Sequence, residues 1–260
     1  MSQAVDDGKG RSLPSQTDQI LTGLLLLAAL AAWEVAVRGL GVPAWLTPPP
    51  STVAATLWRD TYPLFLRHTW VTLQEIIVGL ALGGGVGLGL GIVLAHIPRA
   101  ERVLSPFVLA VQTTPKIALA PLFVVWFGFG ITSKIVIVAL IAFFPLMINA
   151  VAGFSSLDAG LAELMRSLSA TRRHTFLLAR LPAALPGIFA GVRIAVVQSV
   201  VGAVAAEFVG AKEGLGYLVM YTGSLLQTER LFAVLIILLL LGLALYWTAA
   251  AVERRVMTWL

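Results

Sequence analysis

Cysteine is absent from this 260-residue chain, which removes disulfides, zinc–thiolate sites, iron–sulfur clusters and cysteine nucleophiles. Charge is scarce: 18 Lys and Arg and 13 Asp and Glu make up 12% of the residues, against roughly 25% in a soluble globular domain. The three histidines, His68, His96 and His174, form no H-x-x-x-H pair and have no carboxylate motif beside them, so no metal site is expected. No G-x-x-x-x-G-K-[ST] run occurs, and any ATP chemistry therefore belongs to another polypeptide. What is present is apolar, at 58% of residues with a mean hydropathy of +0.92. This excludes a disordered chain and argues against a soluble enzyme.

A helix that crosses a bilayer needs about 20 mostly apolar residues. Six stretches qualify, at 20–38, 70–95, 103–127, 135–154, 186–206 and 231–251. Helices are expected because each satisfies its own backbone groups in lipid. Runs such as Leu231–Leu245 lack the alternation of barrel strands. Nothing resembles a cleavable signal peptide, and residues 1–19 are expected to be a flexible cytoplasmic tail. Residues 20–255 form the transmembrane domain, and 256–260 a short cytoplasmic end.

Six spans put both termini on one side. The loops on that side, together with the terminal stretches, hold ten Lys and Arg; the opposite loops hold six, Arg38, Arg59, Arg67, Lys134, Lys212 and Arg230. The positive-inside rule places both termini in the cytoplasm. It also accounts for the high isoelectric point without nucleic acid, since the basic residues flank spans and form no stripe with interleaved aromatics.

Gly79, Gly83, Gly87 and Gly91 form a small-xxx-small row that lets two helix backbones approach closely in lipid. The third span is broken by Pro106, Pro115 and Pro121, with Gln112 and Lys116 between them. A lysine at bilayer depth costs about 2.5–3.5 kcal/mol on insertion scales, so Lys116 either faces a cavity or snorkels to an interface. Gln112, Lys116, Gln198 and Glu207 are the candidate pathway residues. Arg193 is read as snorkelling to the cytoplasmic interface, while Glu34 and Glu75 lie near span ends.

The loop 155–185 is the one polar stretch with strong order. Ser155 and Asp158 resemble a capping box, and Leu157, Leu161, Leu164 and Leu168 recur on one helical face, with Glu163 and Arg166 on the other. After a break at Ser169-Ala170, Thr171 is a second N-cap, followed by Arg172, Arg173, Phe176 and Leu177, with Pro182 as the helix stop. Such a hairpin could lie on lipid headgroups or dock a soluble partner.

The loop resembles the signature of permease subunits of binding-protein-dependent ABC importers: a glutamate-alanine-alanine triplet, a glycine four positions on, a hydrophobic residue, then Leu-Pro. Glu163-Leu164-Met165 stands for the triplet, Ser169 for the glycine, Ala179 for the hydrophobic residue, and Leu181-Pro182 closes the pattern. Pro48-Pro49-Pro50-Ser51, the run from Pro115 to Leu122, Trp126-Phe127-Gly128, Ser133-Lys134, Phe143-Phe144-Pro145, Ala206-Glu207-Phe208 and Gly214-Leu215-Gly216-Tyr217 are similar to the nitrate, sulfonate, taurine and pyrimidine-precursor group of that family.

The resemblance implies an all-α integral membrane protein of about six spans with the type I importer permease fold, in the bacterial inner (cytoplasmic) membrane. Two permease copies, expected to be a homodimer, would form the pathway. Two ATPase subunits would bind the ATP and magnesium, leaving no cofactor on this chain. An extracytoplasmic binding protein would deliver the solute. Residues 158–168 would be a coupling helix, with Leu161, Glu163, Leu164, Arg166 and Leu168 in contact with the ATPase, and with Ser169, Arg172, Arg173, Leu181 and Pro182 completing the loop. An ion-coupled secondary transporter is the alternative, but it needs paired intramembrane carboxylates or repeated halves, and Glu207 is the one deep acid expected. An intramembrane enzyme would need a catalytic constellation within the spans.

Overall fold

The structure is a computed structural model that describes residues 16–97, 106, 110, 111 and 113–258. Its helices are α1 (Gln16–Gly39), α2 (Pro50–Asp60), α3 (Leu66–Ala95), α4 (Ala120–Phe127), α5 (Ile131–Ser155), α6 (Ala159–Ser167), α7 (Arg172–Thr175), α8 (Leu181–Glu207), α9 (Leu215–Ser224) and α10 (Thr228–Val256). A 3-10 turn at Lys116–Leu119 leads into α4, and π turns at Thr61–Phe65 and Phe176–Arg180 lead into α3 and α8. Among the described residues there is no strand.

Among the described residues, five helical stretches are long and apolar enough to cross a membrane: Ile20–Gly39, Leu66–Ala95, Ile131–Ser155, Arg172–Glu207 and Thr228–Val256. The third expected span, 103–127, lies partly outside the described residues, and its second half is the shorter apolar helix Lys116–Phe127. That helix begins immediately after Pro115, where the proline's missing donor and ring interrupt a helical ladder.

The bundle is held together by small residues, because lipid offers no hydrophobic drive between helices. Gly79 packs on Val138 and Ile135, Gly83 on Ala139, Gly87 on Phe143, and Gly91 on Met147 and Ala150. Both partners advance four residues per contact in the same direction, so α3 and α5 run parallel. A β-carbon on Gly79 would lie 2.5 Å from Val138 Cγ1, and one on Gly91 2.7 Å from Ala150 Cβ. At Gly83 and Gly87 it would run into the Ala139 and Phe143 carbonyls. On its other side α5 meets α8 antiparallel, with Gly153 against Ala184, Gly191 against Asn149 and Gly202 against Ile141.

Parallel helices that follow one another along the chain need a return passage between them. The chain reaches α5 through α4, whose Ala120 packs on Ile137 and Ile141. The bundle thus has a hairpin end, with the α3 C-terminus, α6, α7 and the α10 C-terminus, and a far end. The far end holds α2, the α4–α5 turn, α9 and the α10 N-terminus. There Val53, Phe65, Leu215, Leu218, Ala233 and Val234 form one buried cluster that joins α2, α9 and α10.

Candidate functional site

At the hairpin end the sequence pattern produces a short helix that no other described element covers. Asp158 is the N-cap of α6, its side chain accepting from Leu161 N at 3.0 Å. The capping box expected at Ser155 is not formed: Ser155 is the last residue of α5. Asp158 has the extended ψ that an N-cap needs, and it takes the first-turn donor itself. No residue of α6 is buried. Leu161, Leu164 and Leu168 are 36%, 53% and 68% exposed, and Glu163 and Arg166 are also exposed.

Ser169 stops this helix in the left-handed conformation, at φ +52°. Its N–H reaches Arg166 O at 2.9 Å, and Ala170 N–H reaches Met165 O at 3.0 Å, the paired bonds of a Schellman turn. Serine therefore does what glycine does at lower cost in the resembling signature. Thr171 then caps α7, accepting from His174 N at 3.3 Å. Arg172 and Arg173 are exposed on α7. Pro182 does not end a helix. It lies in the first turn of α8, just after Leu181, inside a helical stretch that is already running when the proline is reached. The π turn at Phe176–Arg180 carries the helix through to it.

Lys116, from the turn before α4, and Gln198, from α8, come to one place. They line one cavity of ≈ 250 Å³ with Ile117, Ile141, Val197, Val201 and Gly202. The Lys116 ammonium lies 5.1 Å from the centroid of the Phe144 ring, which is midway along α5. Val197 and Gln198 also border a second cavity of ≈ 460 Å³ that continues to Ala190, Arg193, Ile194 and Tyr246. Arg193 is paired with Glu253 of α10 at 2.9 Å, an ion pair between two helices. Gln112 lies outside the described residues.

Glu207, grouped with the pathway residues by sequence, is placed elsewhere. It is 1% exposed and accepts from Thr72 Oγ1 at 2.6 Å, from Tyr217 N at 3.2 Å and from Gly216 N. Beside these bonds, Leu215 N donates to Thr72 Oγ1 at 2.8 Å and Gly214 N to His68 Nδ1 at 2.9 Å. The first N–H groups of a helix have no intrahelical acceptor; at α9 they find side chains of α3 and α8. Gly214 has φ +115°, and a β-carbon there would overlap the Glu207 carboxyl group.

Glu75 is buried as well, at 2% exposed, nine residues into α3. Lys134, counted with the loop charges, is buried in α5, its Nζ donating to Phe129 O at 2.7 Å and Gly130 O at 3.0 Å. No sequence pattern signals this cluster, because its members are contributed by three distant helices.

Outside the spans, Asp60 of α2 accepts from Arg59 Nε at 2.9 Å and Arg230 Nε at 2.6 Å. The Arg59 hydrogen bond first, and then Arg230, hold its carboxyl below the usual carboxylate range despite partial burial. A cavity of ≈ 320 Å³ lined by Asp60, Leu64, Tyr221, Thr222, Gln227 and Arg230 opens beside it.

Residues 87–258 match the family described as binding-protein-dependent transport system inner membrane component. The chain is 36% identical over 236 residues to the formylaminopyrimidine transport permease protein ThiX of Halalkalibacterium halodurans, covering 91% of this chain and 94% of that one. It is 36% identical to the putative aliphatic sulfonates transport permease protein SsuC of Bacillus subtilis, over 92% of this chain and 87% of the relative. To the taurine transport system permease protein TauC of Escherichia coli it is 31% identical, over 91% and 88%. Among solved structures, a chain of the MetNI methionine ABC transporter in an inward-facing form is similar, at 25% identity and TM-score 0.65, covering 76% of this chain and 98% of that chain. With its helical architecture, uncovered hairpin and cavity, the chain belongs to the binding-protein-dependent inner membrane component family: it is a type I ABC importer permease, a transport subunit and not itself an enzyme.

Proposed function

We propose that the α6–α7 hairpin is the coupling element gripped by an ATPase subunit, with Leu161, Leu164 and Leu168 as anchors and Glu163 and Arg166 as oriented charges. ATP and magnesium are then held by two ATPase subunits, and the hairpin end, with both termini, faces the cytoplasm. The observation that carries this is the exposed leucine stripe on a helix with no buried residue, because apolar side chains grouped on one face of a well-capped helix are a docking surface.

Two copies of the chain enclose the pathway in this proposal. Support comes from the cavities along α8, where Lys116 and Gln198 provide polar groups at mid-depth, beside the exposed Ile194, Val197 and Val201. An extracytoplasmic binding protein delivers a small solute at the far end. Sulfonates, taurine, nitrate and pyrimidine precursors are the solute classes to test first. ATP binding favours one of two states, and the hairpin passes that preference to the spans.

Glu163→Arg tests this directly. Reversing a charge at a docked surface disfavours the complex, so ATPase co-purification and uptake should each fall at least about ten-fold, equivalent to about 1.4 kcal/mol. Normal uptake with full ATPase stoichiometry would refute the coupling role.

A further inference from the structure

Helices α7 and α8 and the π turn between them form one unbroken stretch, Arg172–Glu207, of 36 residues, about 54 Å long at 1.5 Å per residue. Only residues 168–171 separate its start from the hairpin helix α6. Its last residue, Glu207, grips the N-terminus of α9. The geometry points to Thr72 and Glu207 as positioning residues of a joint that makes α9 follow the hairpin, so that motion driven at one end arrives at the other.

The bonds at the joint are directional where the rest of the contact is not. Leu215 and Leu218 attach α9 to α2 and α10 through apolar packing, which lets surfaces slide at small cost. Toward α3 and α8, α9 is held instead by consecutive N–H groups, from Gly214 to Tyr217, on His68, Thr72 and Glu207. Such bonds fix rotation and register together. They bring the Glu207 carboxyl group to the N-terminus of α9, where the first helical donors have no partner within the helix. Thr72 is the bridge, since its hydroxyl donates to Glu207 and accepts from Leu215 N. The joint therefore binds the group α2, α9 and α10 to the rod that begins at the hairpin.

This proposal rests on the coupling role of the hairpin, and its test separates the two. The chain contains no cysteine, so Ser224→Cys, exposed at the end of α9, gives one reporter per permease. The permease is assembled with its ATPase in proteoliposomes, and the rate of reaction with a water-soluble maleimide is measured with and without MgATP plus vanadate. With Thr72 intact the nucleotide should change the rate at least about five-fold, the low end for coupled sites. Thr72→Ser should keep that response. Thr72→Val should bring the ratio to about one, with the vanadate-trapped nucleotide at the parent level; loss of linkage without loss of trapping is the signature of broken coupling.

A response that survives Thr72→Val, or none in the parent despite trapping, would overturn the joint and leave the hairpin proposal standing. Absence of trapping in the parent would overturn the hairpin proposal and the joint with it. Should Thr72→Val fail to assemble with the ATPase, Glu207→Gln takes its place. Failure of both would show that the cluster serves folding alone and overturn the proposal.

Discussion

Helices α6 and α9 are near twins in sequence terms, nine and ten residues long, each in a connection between bundle helices. Both stop in the same way. Ser169 and Leu226 take φ values of +52° and +55°. The N–H groups of Leu226 and Gln227 reach Gly223 O at 3.1 Å and Thr222 O at 2.9 Å, repeating the turn at Ser169. The difference is at their starts and faces. α6 is capped by its own Asp158 and buries nothing, whereas α9 hands its first donors to two other helices and buries Leu215, Gly216, Leu218 and Thr222. Local chemistry decides where a short helix stops. Whether it belongs to the bundle depends on who accepts its orphan donors and what covers its apolar face.

The sharpest way to break the comparison is a matched pair of substitutions. Leu218 is 1% exposed, while Leu164 is mostly open. Leu218→Asp should destabilise the permease by at least about 3 kcal/mol, through lost packing and an unpaired buried charge. Leu164→Asp should stay within about 0.5 kcal/mol of the parent, as surface substitutions do. Thermal unfolding of the detergent-purified chain checks both, and equal losses would erase the distinction between the two helices.

A smaller effect comes from Asp60, which fastens α2 to α10 through Arg230 and is also paired with its neighbour Arg59. Because its folded carboxyl lies below the ordinary range, its stabilisation is full above the unfolded value near 4 and fades as pH falls through the lower folded value. The parent should exceed Asp60→Asn by about 1–2 kcal/mol at pH 7, allowing for solvent screening. That gap should hold down to about pH 4 and close below it; melting curves across this range test the sign. A gap that widened on acidification would exclude this role.

The smallest change is expected at the uncovered helix. Ser169→Gly relieves a left-handed serine and should add up to about 1 kcal/mol. It should also leave ATPase co-purification intact, since the turn geometry is kept. A melting temperature that falls would mean that the serine hydroxyl contributes something the backbone does not show.

Much of the fold is legible because it follows from short-range rules. Apolar runs locate the long helices, although α3 and α8 begin earlier than their apolar windows, since helical hydrogen bonds do not stop where hydropathy drops. The glycine row is legible because a four-residue step of small side chains has one efficient use in lipid. The leucine stripe reveals α6, but its cap is shifted from Ser155 to Asp158, a choice between two nearby oxygens that only backbone geometry makes. Lys116 and Gln198 are noticed as polar groups in apolar spans, yet the cavity they share joins residues 82 positions apart. Glu75 and Lys134 are missed because the packing of helices that buries them leaves no local trace in the sequence.

By itself the sequence determines the helical type of the elements, the place of the long spans and the one hairpin left polar between them, since periodicity, proline breaks and small-residue steps act within a few turns. Tertiary structure alone decides that Glu207 points into the α9 N-terminus and not into a cavity, that Arg193 finds Glu253, and that α6 stays bare while α9 is buried. These outcomes are pairings across 9 to 146 residues, fixed by how rigid helices rotate against one another, and rotation is set by the whole packing surface and by no single stretch of chain.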